Sequence, residues 1–117
     1  MPKYAILLYG HAGESDGPPN AEQRTSHDDH AEELEDKGDM LAAFAFASPK
    51  SARSIRASGV SNGPFISSGE AVLGAYVIEA SDLEAALETA RRNPIIEQGG
   101  GVEVRPVEGF MIRTNSV

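Results

Sequence analysis

The sequence predicts an α+β fold: an antiparallel sheet with two helices on one face and an inserted β-hairpin. Apolar stretches of strand length alternate with two segments of helical periodicity, in the order strand, helix, strand, hairpin, strand, helix, strand. An Asn-Gly-Pro corner at residues 62–64 breaks the middle of the chain, as a hairpin turn does. Two helices cover one sheet face and leave the other bare, so a small domain of this kind needs apolar cover from a second copy of itself.

Residues 4–9 (YAILLY) form a short apolar run with aromatic ends, the pattern of a central strand buried on both faces. The Gly-, Pro- and acid-rich stretch 10–20 is a loop. A helix follows from Asn20 or Ala21, with Asn20 and Gln23 as capping box, and stops at Gly38. In residues 40–47 (MLAAFAFA), Phe44 and Phe46 share one side and Ala43, Ala45 and Ala47 the other. That is a strand with one bulky side and one side closely approached.

Residues 54–58 and 65–67 are the expected arms of the Asn-Gly hairpin, and Pro64 sends the chain out of the turn extended. Residues 72–80 are the next strand, in which Gly74 implies close approach of another backbone or a ligand. The second helix covers residues 81–92, with Ser81 and Glu84 as capping box. Leu83, Ala86, Leu87 and Ala90 form its apolar stripe, and Pro94 terminates it. Gly99-Gly100-Gly101 reads as a flexible link into a last strand at 102–107, placed at an edge by Pro106; residues 109–113 extend it as a further short segment. Residues 1–113 make a single domain and 114–117 a frayed tail.

Composition narrows the function. A net charge of −8 disfavours nucleic acid and anionic membrane surfaces as partners. The absence of Cys removes disulfides, thiolate nucleophiles and cysteine zinc sites. The first ten residues are too short an apolar run for a signal peptide or a membrane span, which points to the cytoplasm. With 117 residues and 6% aromatic side chains the core is modest, which favours a homodimer.

The first helix carries the chemistry. Arg24, His27, Ala31, Leu34 and Gly38 step by three and four and share one face. This inward stripe turns polar at its N-terminal end, where Arg24 and His27 bring a charge and a titratable group to an apolar floor. His30 falls towards the exposed flank with Glu33. His27, His30 and His11 lack a firm third ligand and are surrounded by carboxylates of an ordinary solvated face, so no metal is expected.

The segments “NGPFISSGEAVLGAY” (62–76), “EASDLEAALETARRNP” (79–94) with “GGGVEVRPV” (99–107), and “RTSHDDHAEELEDKG” (24–38) resemble the DGPF-domain, YCII-related family. The likeness covers most of residues 2–107. It implies a ferredoxin-like dimer, also called a dimeric α/β barrel, with a cleft lined by the helix histidine, here His27, eleven residues before Gly38. A relative is a dehydrochlorinase acting on a chlorinated hydroxyquinol, which implies lyase chemistry by a histidine working with an acid. Others sit near alternative sigma factors, which implies a non-catalytic regulatory module as the alternative.

On the first reading His27 moves the proton, Arg24 holds an anionic or phenolic oxygen, and Phe65 and Tyr76 are apolar walls; no cofactor is implied. The sequence departs from the pattern at Asn62, in place of Asp, and at Ser67 and Gly69, in place of an acid and a Lys, while Glu70 remains. The turn survives these changes, since Asn serves there as well as Asp, but the charged part of the motif does not.

Overall fold

The computed structural model describes residues 1–11, 30 and 39–111. Within them lie β1 (Lys3–His11), β2 (Met40–Ala45), a 3₁₀ turn (Pro49–Ser51), β3 (Arg53–Arg56), β4 (Gly59–Asn62), β5 (Glu70–Glu79), the helix α1 (Leu83–Arg91) and β6 (Gly101–Pro106). The fold is α+β. Four strands form one antiparallel sheet in the order β2-β5-β1-β6, and β3 and β4 form a separate hairpin. Consecutive strands do not simply neighbour each other: β5 lies between β1 and β2, and β1 between β5 and β6. The segment expected to hold the first helix lies outside the described residues apart from His30, whose backbone is helical.

The register sorts the side chains onto two faces. Tyr4 pairs with Ile78, Ile6 with Tyr76 and with Val104, and Leu8 with Val102. These residues share the face on which α1 packs, and with Ala80, Ala86 and Ala90 they make the core. Opposite partners in a sheet lie on the same side, so the alternate residues Ala5, Leu7, Ala75 and Val77 face the other way, joined by Ala42 and Phe44 of β2. Residues 4–9 are central as expected, but only one of their faces is fully buried; Ala5, Leu7 and Tyr9 are half-buried.

Gly74 answers its expectation. A Cβ there would stand 2.8 Å from the Phe44 carbonyl oxygen, so the close approach is by the backbone of β2. Gly100 is less a flexible link than a necessity, because a Cβ would meet the Tyr9 carbonyl oxygen and Ile95. Beside it, Gly99 has φ +92°, in the region that favours glycine. β6 is an edge strand and ends at Pro106. Residues 109–111 are not in a strand.

The hairpin and the helix cap differ from expectation. The turn is at residues 57–58, where the Ser58-Gly59 pair lets Gly59 take φ +133°. Asn62 instead pairs with Arg53 at the open end of the ladder. Gly63, at φ +101°, turns the chain away; its N–H donates to Ala52 O at 2.8 Å and its carbonyl accepts from Ser54 Oγ at 2.7 Å. The Asn-Gly pair therefore closes the hairpin's base and does not form its tip, and residues 65–67 are not a strand. The N-cap of α1 is Asp82, not Ser81: Asp82 is extended and its Oδ1 accepts from Ala85 N–H at 2.9 Å.

Candidate functional site

Three polar residues are buried beside the core, on the face that packs against α1. His30 is 8% exposed, Tyr76 5% and Asn93 3%. Tyr76 belongs to β5, where alternation turns it to the same side as Ile78 and opposite Ile6. Asn93 follows α1 directly. Its N–H donates to Ala90 O, and its side-chain oxygen accepts from Ile95 N–H at 2.9 Å, forming a tight turn just past the helix.

The Tyr76 hydroxyl lies 3.4 Å from His30 Nε2, and the two rings meet edge to face with centroids 6.1 Å apart. Burial pushes the Tyr76 hydroxyl above the ordinary tyrosine range, while hydrogen bonding with Asn93 and the positive charge of Arg92 pull it back. The result is a neutral phenol, a histidine and an amide in an otherwise apolar region. Such a group can position and polarise an oxygen or nitrogen of a ligand.

Two of the residues expected to make the site, Arg24 and His27, lie outside the described residues. Of the other two, Tyr76 is the ring against His30, and its polar end is as much a part of the site as its apolar body. Phe65 stands at the Gly-Pro-Phe corner, about half exposed, with the Arg56 guanidinium 3.8 Å above its ring and donating to its carbonyl at 3.3 Å.

His30 overturns its expected place on the exposed flank. The stripe drawn through Arg24 and His27 treated the helix face as too narrow to include it, yet an inward stripe spans more than 100° of the helix. In the sequence Pro94 reads as a helix terminator, and that reading leaves Asn93 without a role. The Asn-Pro pair is itself a turn signal and marked the position. His11 ends β1 exposed, and among the described residues no group of three potential metal ligands comes together.

The opposite face carries a different polar feature. Tyr9 Oη donates to Glu103 Oε1 at 3.0 Å, and Arg105 Nη1 bridges to Glu103 Oε2 at 3.3 Å across a solvent-exposed patch. The hydrogen bond to Glu103 holds the Tyr9 hydroxyl above the ordinary range, with burial and the Glu103 charge acting in the same direction.

A model of the YCII-related domain matches residues 2–111, nearly the whole chain. The chain belongs to that family. The match runs through both parts of the buried cluster, His30 on one side and Tyr76 with Asn93 on the other. No curated protein matches the sequence. Among the described residues of this YCII-related chain, no helix is long and apolar enough to cross a membrane.

Proposed function

We propose that this YCII-related protein binds a small phenolic or anionic molecule in a cleft beside His30 and Tyr76 and moves a proton on it by histidine acid–base chemistry of a lyase kind. His27 is assigned the proton transfer and Arg24 the ligand's oxygen. Tyr76 and Phe65 are assigned the walls of the cleft. The observation that carries the reading is the buried cluster itself: polar groups are costly to bury unless something uses or satisfies them. His30, Tyr76 and Asn93 sit together against an apolar core, three residues along the chain from His27. The Arg56 guanidinium over the Phe65 ring offers a positive charge at the Gly-Pro-Phe corner that suits an anionic ligand.

The test is a panel of phenols and small carboxylates, followed by thermal shift and calorimetry. A phenol or anion is expected to raise the melting temperature of the wild type and to lose that effect in His27→Ala, with the far-UV spectrum unchanged. Equal binding by His27→Ala, or no response from either class, overturns the reading.

A second reading is a non-catalytic, dimeric interaction module in the cytoplasm, and the bare sheet face favours it. Phe44 and Phe46 are each about half exposed with rings 5.4 Å apart, next to Ala5, Leu7 and Val77. A second copy is the natural cover for such a face. The two readings share the dimer and part on whether any small molecule binds.

A further inference from the structure

Among the described strands, β3 and β4 stand apart. They pair only with each other, and every residue in them except Ser54 is exposed. A lone two-stranded hairpin is at best marginally stable in water. Its base is tied by Gly63, whose carbonyl accepts from Ser54 Oγ and whose N–H donates to Ala52 O. Ile55 lies directly opposite Val60, so both side chains point to one face, and they are 73% and 69% exposed. Arg53 and Asn62 flank them on that face, two residues along each strand. Phe65 and Ile66, just past the hairpin, are more than half exposed as well. Apolar side chains grouped outside the core beside a polar rim mark a contact surface.

Charge says what that surface fits. Residues 40–69 hold Lys50, Arg53 and Arg56 and no acidic residue, while all eighteen Asp and Glu lie in the rest of the chain. The hairpin is a basic projection on an acidic body. Arg56 is turned to its own chain, over the Phe65 ring and donating to the Phe65 carbonyl. Lys50 and Arg53 lie at the hairpin's root. Opposite charges attract across an interface and fix its register. The acidic partner always at hand is another copy of the chain. The route of the backbone agrees: the hairpin follows the Phe44 and Phe46 end of β2 and returns to β5, two strands of the open sheet face.

We infer that the β3–β4 hairpin is an arm that reaches over a second copy of the chain, with Ile55 and Val60 against apolar surface and Lys50 and Arg53 against carboxylates there. The arm rests on the dimeric reading above for its partner, but its contact is distinct from the Phe44/Phe46 face and is tested apart from it.

Carbodiimide joins a lysine to a carboxylate in contact with it, and a mixture of light and heavy isotope-labelled wild-type protein separates links between chains from links within one. Mixed peptides that join Lys50 to an Asp or Glu are expected. Lys50 linked only within its own chain, or not linked at all, overturns the inference. Sedimentation gives the second measurement. Ile55→Ser with Val60→Ser is expected to raise the dimer dissociation constant at least about tenfold, with the far-UV spectrum unchanged. Lys50→Gln with Arg53→Gln is expected to weaken the dimer at low salt and to remove most of its salt dependence. Lys3→Gln with Arg91→Gln removes the same charge elsewhere and is expected to weaken it much less. Hairpin variants that associate like the wild type overturn the inference; if Phe44→Asp is monomeric at the same time, the dimeric reading stands without the arm. Monomeric hairpin variants beside a dimeric Phe44→Asp keep the arm and remove the open face. A wild type that stays monomeric overturns both, and its retention on heparin through Lys50 and Arg53 would assign the hairpin to a polyanion instead.

Discussion

The two faces of the four-stranded sheet are built from the same strands yet end in different states. On one, Tyr4, Ile6 and Ile78 are closed over by Ala86 and Ala90 of α1, and the polar groups that reach this side, His30, Tyr76 and Asn93, are buried, with His30 and Tyr76 in contact. On the other, Ala5, Leu7 and Val77 are only half-buried and Phe44 and Phe46 stand out from β2. Alternation gives β1, β2 and β5 apolar residues on both faces here, and the described chain finishes only one of them. The closed face suits a polar site, because there the dielectric is low; the open face is the one proposed for association.

The adjacent residues Ile6 and Leu7 divide the two faces most directly. Ile6 is fully buried, so Ile6→Ala is expected to cost about 3–4 kcal/mol in urea unfolding, the range for a large-to-small change in a packed core. Leu7→Ala is expected to cost under about half as much in dilute protein, with the loss growing as concentration rises, since a cover supplied by a second copy follows mass action. Equal losses at every concentration would mean that the open face is as complete as the closed one.

Gly74 tests how β2 is held between the faces. Its missing side chain lets the Phe44 carbonyl come close, and Gly74→Ala is expected to cost about 1–3 kcal/mol by forcing β2 away. Because Phe44 and Phe46 ride on β2, the same change is expected to weaken association as well as stability, measured by sedimentation beside the unfolding curve. A substitution that spared both would remove the reason for glycine at this position.

Much of this was legible in the sequence. All four strands of the sheet were marked, residues 4–9 and 72–80 as apolar runs and residues 40–47 by alternation, and the Phe44/Phe46 side was separable from the Ala43/Ala45 side by inspection. Gly74 announced close backbone approach. What failed did so for local reasons. Two turn signals competed within six residues, Ser58-Gly59 and Asn62-Gly63, and the ladder length decided for the first. Ser81 and Asp82 competed as caps, and Asp82 lies three residues before the amide it reaches. The buried cluster was only half visible. Tyr76 was marked as a wall, but its hydroxyl acquires meaning only beside Asn93, seventeen positions on, and His30, forty-six positions back. No spacing rule connects residues that distant.

Phe44→Asp is a smaller test for the monomer and a decisive one for the pair. At an exposed position the change is expected to alter monomer stability by no more than about 0.5 kcal/mol. It nevertheless buries a charge in any interface that includes this face. Sedimentation equilibrium is expected to find the wild type dimeric and Phe44→Asp monomeric at micromolar concentration. If both sediment as monomers, the open face needs another cover; if both sediment as dimers, the pairing lies elsewhere.

The smallest effect contrasts one tyrosine from each face. Both hydroxyls ionise above the ordinary value of 10.0, Tyr76 chiefly because it is buried and Tyr9 chiefly because it donates to Glu103. A raised folded value means that the native state holds its proton longer than the unfolded chain. The associated stability is therefore complete below pH 10.0 and is lost as pH climbs through the folded value. Tyr76→Phe is expected to flatten part of that alkaline loss. Tyr9→Phe is expected to change it little, because water and salt screen an exposed group. Glu103→Ala, followed by ultraviolet difference spectra, is expected to bring the Tyr9 titration down towards the ordinary range, helped by the unbridged Arg105, while Tyr76 stays where it was. A shift of both together would mean that the two faces communicate through β1 and β5. The separation of closed from open face would then fail at the level of electrostatics even if it held for packing.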